Sequence, residues 1–232
     1  MGVGDVRYTV LQTVQEVFRK LGLNAPSALS DNKLSIQCVD FINDVATELS
    51  DFGNWQETMV SANVSSVHAQ RDYLINTSAN VKSIADIYYS QRTGPIGLIT
   101  IEDMRMMTSA NGMPTQYTLF GTDTSSGNPI IRVRPIPVSG NGFGGYFSIL
   151  YFTLPPRYTT SDGATIIPFP ARIMVLGTLA KAILNESEGA PNDRYTATYN
   201  QYLIERKNAL NRYKGDTGWN VSFVPSRQTR RR

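Results

Sequence analysis

Apolar residues recur at three- and four-residue spacing at both ends of the chain and lose that period in the middle. Near the start, Val10, Val14, Phe18 and Leu21, with Leu11 and Val17 beside them, form one stripe. They predict an amphipathic helix capped by Asp5 and ended by Gly22. Past the turn Asn24-Ala25-Pro26-Ser27, Ile36, Val39, Ile42, Val45, Leu49 and Phe52 keep the period, predicting a second helix over about 32–52. Gly53-Asn54 closes it, and Trp55 follows as an anchor against the bundle. Near the end, Pro170 suits a first helical turn, where its missing N–H costs nothing. Ile173, Leu176, Ala180, Ile183 and Leu184 then share a face, and Glu188-Gly189-Ala190-Pro191 stops that helix. Asn192 or Asp193 can cap the last helix, along which Tyr195, Tyr199, Tyr202, Leu203, Leu210 and Tyr213 fall on one side.

From Met59 the pattern turns to imperfect alternation: Val60, Ala62, Val64, Val67. Short β-type runs follow at residues 73–75, 83–90, 117–120, 130–134 and 146–152. Thr100 with Asp103 opens a short helix over 101–109 by a capping-box-like pair. Gly121-Thr122-Asp123 and the glycine-rich 139–145 are turns. Short strands with frequent turns suit an antiparallel sheet or small sandwich. No internal repeat is visible.

Neither helical pair can cover its apolar face alone, so the two pairs are expected to form one bundle. The fold class is α+β: N- and C-terminal helices form one helical bundle, with an inserted antiparallel β domain and an extended C-terminal arm. The segments are 1–56 (first half of the helical domain), 57–165 (β insert), 166–215 (C-terminal hairpin) and 216–232 (arm).

Composition narrows the function classes. A chain of 232 residues, 41% hydrophobic and 18% charged, lies within the globular range. The formal net charge is only +3, and Arg227, Arg230, Arg231 and Arg232 exceed that excess, so the body is near neutral. A generally basic, nucleic-acid-coating surface is not indicated. Cys38 is the sole cysteine, which excludes an intrachain disulfide and a Cys₄ or Cys₂His₂ zinc site. No apolar run approaches the roughly 18 residues of a membrane span, and the start lacks the apolar core of a signal peptide. The chain reads as soluble, made in a reducing compartment.

Catalytic chemistry is not legible. His68 is the only histidine and no Gly-x-Ser-x-Gly elbow accompanies it; an exposed or locally bonded histidine is the ordinary reading. The run 140–145 lacks the Lys-Ser/Thr of a phosphate loop and opens into a strand, as a hairpin tip does. The only closely spaced acids in the β region, Glu102 and Asp103, are neighbours on a helix and point apart. The tyrosines of the last helix could stack on bases, but their helical spacing better suits a bundle face or subunit contact. No catalytic, cofactor or metal residues are assigned.

The tail is different. Trp219, Val221, Phe223 and Val224 are apolar, yet Gly215, Gly218 and Pro225 argue against a continuing helix. One reading is a frayed end. The other is an arm that orders on a partner, and two aromatics that the tail cannot bury alone favour it. Trp219, Val221, Phe223 and Val224, with Arg227, Arg230 and Arg231, are therefore the candidate partner-binding residues.

The order of these pieces resembles the head-to-tail adaptor (connector) proteins of tailed bacteriophages, of the podovirus type that binds a portal. Tyr73-Leu74 followed by Ile84-Ala85-Asp86-Ile87-Tyr88 looks like the family's opening strand pair. Gly112-Met113-Pro114-Thr115-Gln116-Tyr117 resembles its Gly-x-Pro-x-x-Tyr turn, and the run from Ile131 to Pro137 its strand ending in Pro-x-Pro. Ile149-Leu150-Tyr151, Leu154-Pro155-Pro156 and Ile167-Pro168 complete the pattern. The long glycine-rich hairpin and the arginine-rich end depart from it. The resemblance implies a structural virion protein, assembled in the host cytoplasm, that forms a homo-oligomeric ring, a dodecamer, between portal and tail or nozzle proteins. DNA would pass through its channel without sequence-specific contact. The resemblance implies no enzyme, no cofactor and no membrane. The alternative is a small nucleic-acid-binding module using the arginine-rich tail.

Overall fold

Thr9, not Asp5, opens the first helix. In the computed structural model, which describes residues 6–76, 80–108, 110–138 and 144–217 (side chains to residue 211), α1 runs Val10–Leu21. Gln12 N donates to Thr9 Oγ1 (3.2 Å) and Thr9 N to Gln12 Oε1 (2.9 Å), a reciprocal pair that satisfies two otherwise orphaned donors. Asp5 lies outside the described residues. Gly22 ends the helix in the left-handed conformation, φ 80°, which glycine adopts without a Cβ penalty.

The chain divides into two compact units, residues 1–49 with 158–232, and residues 50–157. In the first, α2 (Lys33–Phe52) starts at a second reciprocal cap, Asn32 with Ser35. Its buried stripe is Cys38, Val39, Ile42, Val45, Ala46 and Leu49. Ile36, expected on that stripe, is exposed because it lies about 100° round the helix from the buried Ser35, off the packed face, and Phe52, also expected there, is exposed as well. Backbone bonds from Val10 N to Thr165 O (3.0 Å), Ile167 N to Tyr8 O (3.0 Å) and Ala171 N to Val6 O (2.9 Å) lay the chain's start alongside the entry to α4.

Helix α4 (Ala171–Glu186) departs from its expected single face. Every residue from Ile173 to Ala180 is buried, and a helix buried all round is a central one. It packs against α1 and α5. Gly177 brings it so close to the others that an added Cβ would lie 2.8 Å from Val45 and 3.0 Å from Tyr202. Glu188 (φ 53°) and Gly189 (φ 84°) turn the chain. Asn192 caps α5, Oδ1 accepting from Tyr195 N at 2.8 Å. Helix α5 spans Asp193–Thr217 and continues through Gly215, where the sequence predicted an end.

The second unit holds seven strands in two sheets, ordered β1-β7-β3 and β2-β6-β5-β4 among the described residues. They are β1 (Met59–Ser65), β2 (Asp72–Leu74), β3 (Val81–Tyr89), β4 (Gly97–Leu98), β5 (Gln116–Thr122), β6 (Pro129–Arg134) and β7 (Tyr146–Thr153). Pairing is antiparallel except for β4 with β5, which is parallel. That corrects the all-antiparallel expectation: α3 (Ile101–Met106) supplies the crossover that a parallel pair needs. The sheets share one core, where Tyr73, Ile131 and Val133 of one meet Ile87, Phe147 and Ile149 of the other. Tyr73 and Tyr89 pack tilted on Phe147, centroids 4.8 and 4.9 Å away. The α+β class is therefore correct, and the insert is the small sandwich.

Candidate interaction site

The arm's candidate residues, Trp219, Val221, Phe223, Val224, Arg227, Arg230 and Arg231, lie outside the described residues. Their base, α5, is described. Tyr202 is buried on α4's side of the helix, its hydroxyl donating to Glu48 (3.3 Å). Burial, with the Glu48 carboxylate beside it, pushes that hydroxyl's pKa up. Glu48 also takes a 2.7 Å ion pair from Lys181, and Arg172 pairs with Glu205 at 2.8 Å. Tyr195 stacks on Tyr199 with centroids 5.5 Å apart, and Tyr199 tilts against Tyr202 at 5.9 Å. The tyrosines thus lean on one another down a bundle face, while Ile204 on the same helix stays exposed.

The acids of the β region hold turns and strands. Asp123 accepts from Ser125 Oγ (2.5 Å), Ser126 N (2.8 Å) and Ser126 Oγ (2.7 Å), which bring its pKa down to about 2. Asp103 caps α3 with Thr100. Asp162, at the entry to α4, accepts from Thr159 N (2.7 Å) and Thr159 Oγ1 (2.6 Å). Asp72 receives a bidentate pair from Arg132, at 2.6 and 2.8 Å, and the guanidinium lies 3.4 Å from the Phe120 ring centroid. Asp86 is half-buried, which raises its carboxyl. His68 is exposed. Among the described residues, no three His, Cys, Asp or Glu side chains stand close enough together to hold a metal.

Three features escaped the sequence reading. Arg132, Asp72 and Phe120 come from three strands, and nothing local signals their meeting. Within the second unit, Lys82 Nζ donates to the carbonyls of Ser50 and Gly53 (2.7 Å to the latter), one of them a last-turn carbonyl that a helix leaves open. The third, the outer edge of β1, had a signal: seven residues without a charge or proline.

The chemistry on view is that of packing, capping and strand pairing, and the comparison with known families agrees. A family model described as SU10 adaptor protein matches residues 8–228. The chain belongs to the SU10 adaptor protein family. No curated protein matches it. The SU10 adaptor family is one of structural phage proteins rather than enzymes, consistent with the head-to-tail adaptor resemblance. Membership implies a virion component associated with portal and tail proteins.

Proposed function

We propose that this chain is a subunit of a homo-oligomeric ring, a dodecamer, set between a portal and a tail or nozzle, through whose channel the genome leaves at ejection. The observation that carries this reading is the family match over residues 8–228, nearly the whole chain. DNA passes without being read, in keeping with a body near neutral outside its terminal arginines. The chain catalyses nothing, and its assembly takes place in the host cytoplasm.

In this reading residues 5–53 and 168–214 act as one helical platform with the β domain inserted between them. The close approach of Gly177 to Val45 and Tyr202 supports it, since it joins helices from both ends of the chain. The arm, residues 217–232, orders in a groove of the portal or of a neighbouring subunit. Trp219 and Phe223 seat in pockets there, and the arginines meet carboxylates.

Electron micrographs of the pure chain mixed with its portal test the reading. A ring seated on the portal is expected; portals that stay bare at saturating chain concentration overturn it.

A further inference from the structure

The outer edge of β1 is an open strand. Ser66 N donates to Gly145 O at 2.9 Å, continuing the β1–β7 register beyond Ser65↔Tyr146. Antiparallel pairs alternate between bonded and non-bonded, so Val60, Ala62 and Val64 bond to β7. Ser61, Asn63 and Ser65 therefore turn their N–H and C=O groups away from it, while the N–H of Met59 at the strand's start already donates to Gln56 O. Among the described residues no strand pairs with that edge, since β1 ends its sheet. Native edges are usually guarded by a charge, a proline or a bulge. β1 reads Met-Val-Ser-Ala-Asn-Val-Ser and pairs with β7 without a register shift, so it has none of these.

The two faces of this edge differ. Val60, Ala62 and Val64 lie opposite Tyr151, Ile149 and Phe147 of the core, and Val60 is still 42% exposed. Ser61, Asn63 and Ser65 form a polar, exposed row on the other face. A strand added here must carry apolar residues on one face and polar ones on the other. The chain contains such a segment: Trp219, Val221 and Phe223 alternate with Asn220 and Ser222, and Pro225 ends the run.

Resting on the ring reading above, we infer that Trp219–Val224 of a second copy of this chain adds as a strand to the outer edge of β1. Trp219, Val221 and Phe223 extend the row of Val60, Ala62 and Val64, and the outward backbone groups of β1 receive ladder partners. Donor and acceptor are different surfaces of one chain, so the contact is head-to-tail, the type that closes rings.

Two full-length variants, Ser61→Cys and Ser222→Cys, mixed and treated with a short thiol cross-linker, test this with and without portal. Cys38 is buried and stays silent. The expected result is a two-chain product joining one variant to the other. Adding Asn63→Pro to the Ser61→Cys chain should abolish it, because that N–H faces outward and the β1–β7 ladder does not use it. Asn63→Lys, which keeps the N–H but sets a charge at the edge, should abolish it too, with an unchanged melting temperature. Absence of the mixed product under both conditions overturns the inference, as does a cross-link that forms only within a chain carrying both cysteines. A ring on the portal without the mixed product sinks strand addition and leaves the adaptor reading standing. The mixed product without a ring does the reverse.

Discussion

Gly177 and Val45 meet where there is no room for a side chain between them. A Cβ on Gly177 would sit 2.8 Å from Val45 Cγ1 and 3.0 Å from Tyr202 Cε2. Helices α2, α4 and α5 therefore meet at one backbone position, and a residue that is a poor helix former stands mid-helix because it alone fits.

Gly177→Ala is accordingly expected to destabilise the fold. Helix propensity favours alanine by about 1 kcal/mol, but overpacking against a stiff, branched valine costs about 1–3 kcal/mol. Urea unfolding should show a lower midpoint. Combining it with Val45→Ala should lose less than the two single losses added, as coupled neighbours do. A higher midpoint for Gly177→Ala would show that the helices have room to part.

Asn43 clasps the backbone of Tyr158. Its Nδ2 donates to Tyr158 O at 2.9 Å and its Oδ1 accepts from Tyr158 N at 2.7 Å. Tyr158 is 3% exposed, so Asn43→Ala leaves a buried N–H and C=O without partners. A loss of about 1–3 kcal/mol is expected. Asn43→Asp keeps the acceptor and loses the donor, and should fall between the two in a denaturant titration. Equal midpoints for all three chains would contradict the clasp.

Stability should decline in alkali. Burial, helped by the charge of Glu186, pushes the Cys38 thiol from an ordinary 9.0 to about 12. Burial likewise raises Tyr117 and Tyr158 from 10.0 to about 12, with Asp86 and Asp162 adding to it. Each group is held neutral in the fold, so above pH 9 the unfolded chain loses protons first and is stabilised relative to the fold. The contribution is complete below about pH 9 and is lost as pH rises toward 12. Denaturation midpoints measured from pH 7 to 11 should be level at first and then fall. Alkylation at pH 8 should label Cys38 only in the unfolded chain.

Deleting residues 218–232 should leave the fold intact and abolish assembly on the portal. The cut falls after Thr217, where α5 ends, and removes Trp219 and Phe223 together with the terminal arginines. An unchanged melting temperature with bare portals in electron micrographs is expected, with Trp219→Ala intermediate. Full assembly by the truncated chain would refute the arm's role.

What the sequence determined by itself was whatever a few neighbouring residues decide. The stripe of Val10, Val14 and Phe18, the Thr100–Asp103 cap and the stop at Glu188-Gly189 depend on backbone geometry and contacts within a turn or two. The runs at 83–90 and 146–152 became strands for the same reason: alternation and β-branched or aromatic content act locally. Order along the chain also carried the family resemblance. The tertiary structure decided what depends on contacts distant in sequence. It made α4 central rather than one-sided, because apolar residues such as Val175 and Leu179 find partners on every side. It set β4 parallel to β5 and divided the strands between two sheets, since pairing register is a choice among distant partners. It joined Arg132 to Asp72, 60 residues apart, and left β1 at an open edge. Which strand lies outermost is settled only when every other strand has found its neighbour, and no local pattern contains that information.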